Sequence, residues 1–96
     1  MISHGPRKIS LFLEGTFDGL GLSHLMDEQR LRKVWHLVVG EKISEIAEIE
    51  RYLEKRLYVK VSDSNWKMEL RFESSPIIQK INKELGQKMV EEIVWM

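Results

Sequence analysis

The chain has 96 residues, 43% of them hydrophobic and 31% charged, a balance typical of a folded soluble domain and not of a disordered one. Fifteen basic and fifteen acidic side chains cancel, which excludes strong sequence-independent affinity for a polyanion unless the charges separate in space. There is no cysteine, so disulfides, thiolate nucleophiles and cysteine-based metal sites are excluded.

This length predicts one domain over residues 1–96, with a two-layer core and little room for a deep cavity. Residues 1–8 read as a flexible lead-in without the apolar stretch of a signal peptide. No run approaches the roughly 20 apolar residues of a membrane span, so the expected location is cytoplasmic, without membrane contact.

In chain order, Ile9, Leu11, Phe12, Leu13, Phe17 and Leu20 lie on and around one helical face, which predicts a short helix over residues 9–20. A second helix is expected over residues 25–46. Asp27 and Glu28 stand at its start, where the dipole favours carboxylates, and Leu31, Val34, Trp35, Val38, Ile43 and Ile46 form its stripe. Gly40 inside such a helix costs about 1 kcal/mol relative to alanine, so a close packing contact is expected there. The period then falls to two. Residues 49–53 and 57–61 predict a hairpin closed by Glu54-Lys55-Arg56, with Leu53 opposite Leu57 and Ile49 opposite Val61. The same register sets Tyr52 opposite Tyr58 and Glu50 opposite Lys60 on the other face, and it turns Arg51 inward.

Ser62-Asp63-Ser64 offers helix-capping side chains before a helix that carries Trp66 and Leu70. Ser75 as cap and Pro76 as first helical residue predict a further helix with Ile78, Ile81 and Leu85 inside, stopped by Gly86. Residues 89–96 read as a strand. The fold class is therefore α+β, order α-α-β-β-α-α-β, with a three-stranded sheet backed by helices on one face.

Catalytic patterns are missing. His4, His24 and His36 are scattered without metal-ligand spacing, and Gly15-Thr16-Phe17-Asp18-Gly19-Leu20-Gly21 lacks the lysine and preceding strand of a phosphate loop. Neither an enzyme nor a cofactor is expected. Charge is segregated along the chain: residues 41–54 hold five Glu against Lys42 and Arg51, and residues 55–71 hold five Lys/Arg against Asp63 and Glu69. Lys60, Lys67, Arg71, Lys80 and Lys83 are the candidate phosphate contacts, although each taken singly reads first as a solvated side chain. Tyr52 and Tyr58 read first as a pair stabilising an exposed sheet face and second as a base-stacking platform. With Val90, Val94 and Met96 they would form an outer apolar patch, the expected partner interface or homodimer contact. Trp35 and Trp66 are expected in the core.

The run Leu31-Arg32-Lys33-Val34-Trp35-His36-Leu37-Val38-Val39-Gly40, then Leu57–Val61 leading through Ser64-Asn65-Trp66 to Leu70, then Asn82-Lys83-Glu84-Leu85-Gly86 and Val90-Glu91-Glu92-Ile93 resembles the DciA family from about Ile9 onward. The resemblance implies a KH-like fold, association with single- or double-stranded DNA, and contact with the bacterial replicative helicase during its loading. KH modules clamp nucleic-acid backbone with a Gly-x-x-Gly turn. Phe72-Glu73-Ser74-Ser75-Pro76 stands at that place, with no glycine and one acid. The chain also ends at Met96 without a basic extension, so weaker DNA affinity than in longer members is expected. The reading is a non-enzymatic accessory domain that binds DNA weakly and engages the helicase. The alternatives are a protein-interaction module without a nucleic-acid role, or an RNA-binding domain.

Overall fold

The computed structural model describes residues 22–96, so the helix expected over residues 9–20 and the lead-in over residues 1–8 lie outside the described residues. The described elements are α1 (Leu22–Val39), α2 (Glu41–Ile46), β1 (Ala47–Leu53), β2 (Arg56–Val61), α3 (Ser64–Phe72), α4 (Ser74–Leu85) and β3 (Glu92–Trp95). The class is α+β, as expected, and the described elements run α-α-β-β-α-α-β, the expected lettering, with both leading helices drawn from the one expected over residues 25–46. The chain divides into two compact units, Met1–Arg30 and Leu31–Met96. In the first, Asp27 and Glu28 fall in the second turn of α1, and Glu28 pairs with His24 one turn earlier at 3.2 Å. The sheet and its core belong to the second.

The helix expected over residues 25–46 is two helices. Gly40 breaks it with φ 90° and ψ 165°, a conformation that side-chain-bearing residues rarely adopt. A Cβ there would meet nothing within 4 Å, so the glycine serves the backbone angle and not a close contact. The helix after the break still presents Ile43 to the same core as Leu31, Val34, Trp35 and Val38.

The sheet is mixed: β1 and β2 are antiparallel, β2 and β3 parallel, in the order β1-β2-β3. The hairpin register differs from expectation, with Ala47 opposite Val61, Ile49 opposite Val59 and Leu53 opposite Arg56. Two local features shift it. The loop has two residues, Glu54 and Lys55, at φ 51° and 64°, the positive angles a tight hairpin turn requires. Glu50 is an extra residue at a bulge between Ile49 and Arg51, which lets Ile49 and Tyr52 both face the core. Arg51 therefore turns outward, its guanidinium 4.5 Å from the ring centre of Tyr58. Leu53 is left exposed and not opposite Leu57.

Leu57, Val59, Ile49, Ala47, Ile93 and Trp95 meet Leu31, Trp35, Leu70, Ile77 and Ile81 in one core, so the helices back one face of the sheet. Trp35 and Trp95 are tilted neighbours, 6.0 Å apart, and the Trp35 indole donates to Ala47 O at 2.8 Å. Asp63 caps α3, accepting from Asn65 N and Trp66 N at 2.9 and 3.2 Å, worth about 1 kcal/mol. α4 starts two residues earlier than expected, at Ser74, and Ile77 replaces Ile78 as its buried contact. Its end is as expected: Gly86 at φ 72° lets Gly86 N reach Lys83 O and Gln87 N reach Asn82 O.

β3 is shorter than residues 89–96. The segment before it is held by the Asn82 side chain, which donates to Val90 O at 2.9 Å and accepts from Met89 N and Val90 N at 3.0 and 2.9 Å. Nothing in the periodicity of residues 89–96 separates this side-chain-tied stretch from a strand.

Candidate functional site

The helix α3 leaves most of its side chains in solvent. Only Leu70 is buried, while Met68 is 66% and Phe72 80% exposed. Four residues apart, Met68 and Phe72 stand one above the other on the face opposite Leu70. Arg71 and Glu69 flank them on either side by helical position. Each of these two large apolar side chains in water forgoes about 1.5–3 kcal/mol of burial. Sequence reasoning passed over Met68 and Phe72 because it sought the apolar stripe that faces the core. The available signal was a second stripe on α3 out of phase with Trp66 and Leu70.

Trp66 is also not a core residue as expected. It lies on the inward side of α3 but stays 40% exposed, above a cleft of about 210 Å³ lined with Val39, Ile43, Leu70 and Lys80.

The turn that joins α3 to α4 is Glu73 alone, at φ −96° and ψ 9°. These angles need no glycine. Ser74 binds the turn from both sides, its hydroxyl donating to Arg71 O at 2.9 Å and accepting from the Trp95 indole at 2.7 Å. No glycine backbone is presented for close approach to a phosphate.

The candidate cations do not converge. Lys67 and Arg71 are one turn apart on α3, with Lys67 half-buried. Lys80 lines the cleft beside Trp66, and Lys83 lines a different groove, along α4. Lys60 points away from the helices, opposite Glu48 across the hairpin.

The outer sheet patch is corrected. Tyr52 is 9% and Val90 0% exposed, because the bulge turns Tyr52 inward and Asn82 draws Val90 under α4. The Tyr52 hydroxyl donates to Met89 O at 2.6 Å. Tyr58 and Val94 do share the outer face, adjacent across β2 and β3, with Arg51 against the Tyr58 ring. Arg56 beside them has its pKa raised above the ordinary arginine value by the Tyr58 hydroxyl and then by the Glu92 carboxylate. Its Nε lies 3.1 Å from Glu92.

Among the described residues, no group of histidines and carboxylates is arranged to hold a metal ion, and no helix is long and apolar enough to cross a membrane. The described residues form a small α+β domain with a three-stranded mixed sheet backed by helices. The chain belongs to the DciA family, described as Dna[CI] antecedent, DciA, which matches over residues 8–94. That family is associated with helicase loading in bacteria. No curated protein matches the chain.

Proposed function

We propose that this chain is a KH-like accessory domain that engages the replicative helicase through the Met68/Phe72 face of α3 and touches DNA weakly beside it. One observation carries the reading. Where a KH module offers glycine backbone to nucleic acid, α3 ends here in Phe72 at 80% exposure, followed by Glu73. A large exposed aromatic at a helix end is a protein-binding anchor of the kind that dominates interface energies. Membership of a helicase-loading family supplies the partner.

Lys67 and Arg71, one turn apart on α3, supply the weak phosphate contact, with Lys80 at the cleft beside Trp66 as a third cation. Each phosphate neutralised on a single strand releases about 0.7 of a counterion, so two or three contacts give a shallow salt dependence. The dispersal of Lys60 and Lys83 to other surfaces favours a second reading, a protein-interaction module without a nucleic-acid role. Titration of purified helicase and of a short single-stranded oligonucleotide against the chain and its Met68→Glu/Phe72→Glu variant tests both. Loss of helicase binding alone supports the first reading; unchanged helicase binding overturns it.

A further inference from the structure

The two edges of the sheet are finished differently. On β1 the edge carbonyls are occupied by α1: Arg32 donates to Ile49 O at 2.6 Å and to Glu50 O at 3.4 Å, and Trp35 donates to Ala47 O at 2.8 Å. An edge so occupied is closed to further pairing. On β3 nothing comparable is found among the described residues. Met96 N donates to Val59 O at 2.8 Å and Met96 O accepts from Val61 N at 3.0 Å, so in this parallel register the even-numbered residues bond to β2. The N–H and C=O groups of Ile93 and Trp95 therefore point away from the sheet, while their side chains are buried.

Beside this edge runs an open groove of about 830 Å³ between α4 and residues 87–93, floored by Ile78 and Ile93. α4 runs alongside β3 in the opposite sense, tied to it at one end by Ser74 to Trp95 and at the other by Asn82 to Val90. Four charged side chains line the groove, and two are already neutralised. Glu91 lies 3.9 Å from Lys55 and Glu92 lies 3.1 Å from Arg56. Lys83 and Lys88 have no ion pair among the described residues, so the charge the groove leaves uncompensated is positive.

We infer that this groove takes an extended, acidic segment of a partner protein as a fourth strand beside β3. The segment's backbone would pair with Ile93 and Trp95; among its groove-facing side chains, every second residue, an apolar one would rest on Ile78 and carboxylates further along would meet Lys83 and Lys88. Main-chain pairing supplies the affinity and the two lysines select for negative charge. The surface is separate from Met68 and Phe72, so the inference stands independently of helicase binding.

The test is titration of the isotopically labelled chain with an eight-residue peptide whose alternate residues run valine, valine, aspartate, aspartate with threonine between them, capped at both ends, followed by amide resonances and hydrogen exchange. Saturable shifts are expected to be largest at Ile93 and Trp95, with their amides protected from exchange at least tenfold. Lys83→Glu/Lys88→Glu, both at exposed positions that leave the core intact, is expected to weaken binding at least fivefold. Three results overturn the inference: equal binding of the same peptide with lysine in place of aspartate, protection of the two amides by protein concentration alone (a second copy pairing there), or stronger shifts of the same amides by a ten-nucleotide single strand.

Discussion

Asn82 and Val90 exchange two hydrogen bonds, Asn82 Nδ2 donating to Val90 O at 2.9 Å and Val90 N donating to Asn82 Oδ1 at 2.9 Å. The side-chain amide thus acts as a peptide unit, closing a ring with the backbone, and its oxygen also takes Met89 N. This contact fixes where the chain leaves α4 and enters β3, and it brings Val90 into the core.

Asn82→Ala leaves two backbone donors and one acceptor without these partners in a partly buried place. A loss of about 2–4 kcal/mol is expected, since each stranded group costs roughly 1–3 kcal/mol and water recovers part of it. Urea denaturation with the transition midpoint as readout checks it. A change below about 0.5 kcal/mol would show that the segment before β3 is held by burial of Val90 alone.

Gly40 gives a prediction of sign. In an unbroken helix, Gly40→Ala would stabilise the chain by about 1 kcal/mol. At φ 90° and ψ 165° the same change is expected to destabilise by about 1–3 kcal/mol, although the methyl group meets no neighbour. Thermal melting of the single variant distinguishes the two.

Glu54 and Lys55 are poorly suited to the angles they hold. Left-handed backbone costs roughly 1–2 kcal/mol for each side-chain-bearing residue, and Asn-Gly is the preferred pair for such a turn. Glu54→Asn/Lys55→Gly is therefore expected to raise stability by about 1–2 kcal/mol, with the bonds from Glu91 N and Glu92 N to Lys55 O retained. A higher urea midpoint at unchanged slope is the readout.

For nucleic acid, Lys67→Glu/Arg71→Glu is expected to lower affinity for a short single strand and reduce the slope of log affinity against log salt by about 1.4, at 0.7 for each lost contact. Lys60→Glu, on the far side of the sheet from the helices, is expected to leave both unchanged. Fluorescence anisotropy across a salt series measures them. Equal effects of the two substitutions would mean that DNA follows net charge and no particular surface.

The element order, the closed core of Leu57, Val59, Trp35 and Ile81, and the Gly86 stop were legible because they rest on periodicity and on residue types with one dominant conformational use. The hairpin register was not. A one-residue bulge at Glu50 and a turn built from Glu54-Lys55 leave no signature in composition, yet together they reverse the facing of Tyr52, Arg51 and Leu53. The expected outer patch was read from that register and from a strand begun too early, so it lost Tyr52 and Val90. Lys67 and Arg71 are neighbours on α3 as their spacing implies, whereas the distribution of Lys60, Lys80 and Lys83 over other surfaces depends on tertiary packing.

The central claim is tested most directly by the affinity of the purified hexameric replicative helicase for the chain, compared with Met68→Glu/Phe72→Glu. Removing two apolar anchors of about 1.5–3 kcal/mol each predicts at least tenfold weaker binding. The thermal midpoint should be unchanged, because both side chains already stand in water. Helicase affinity equal to that of the parent chain, with the variant folded, would contradict the account.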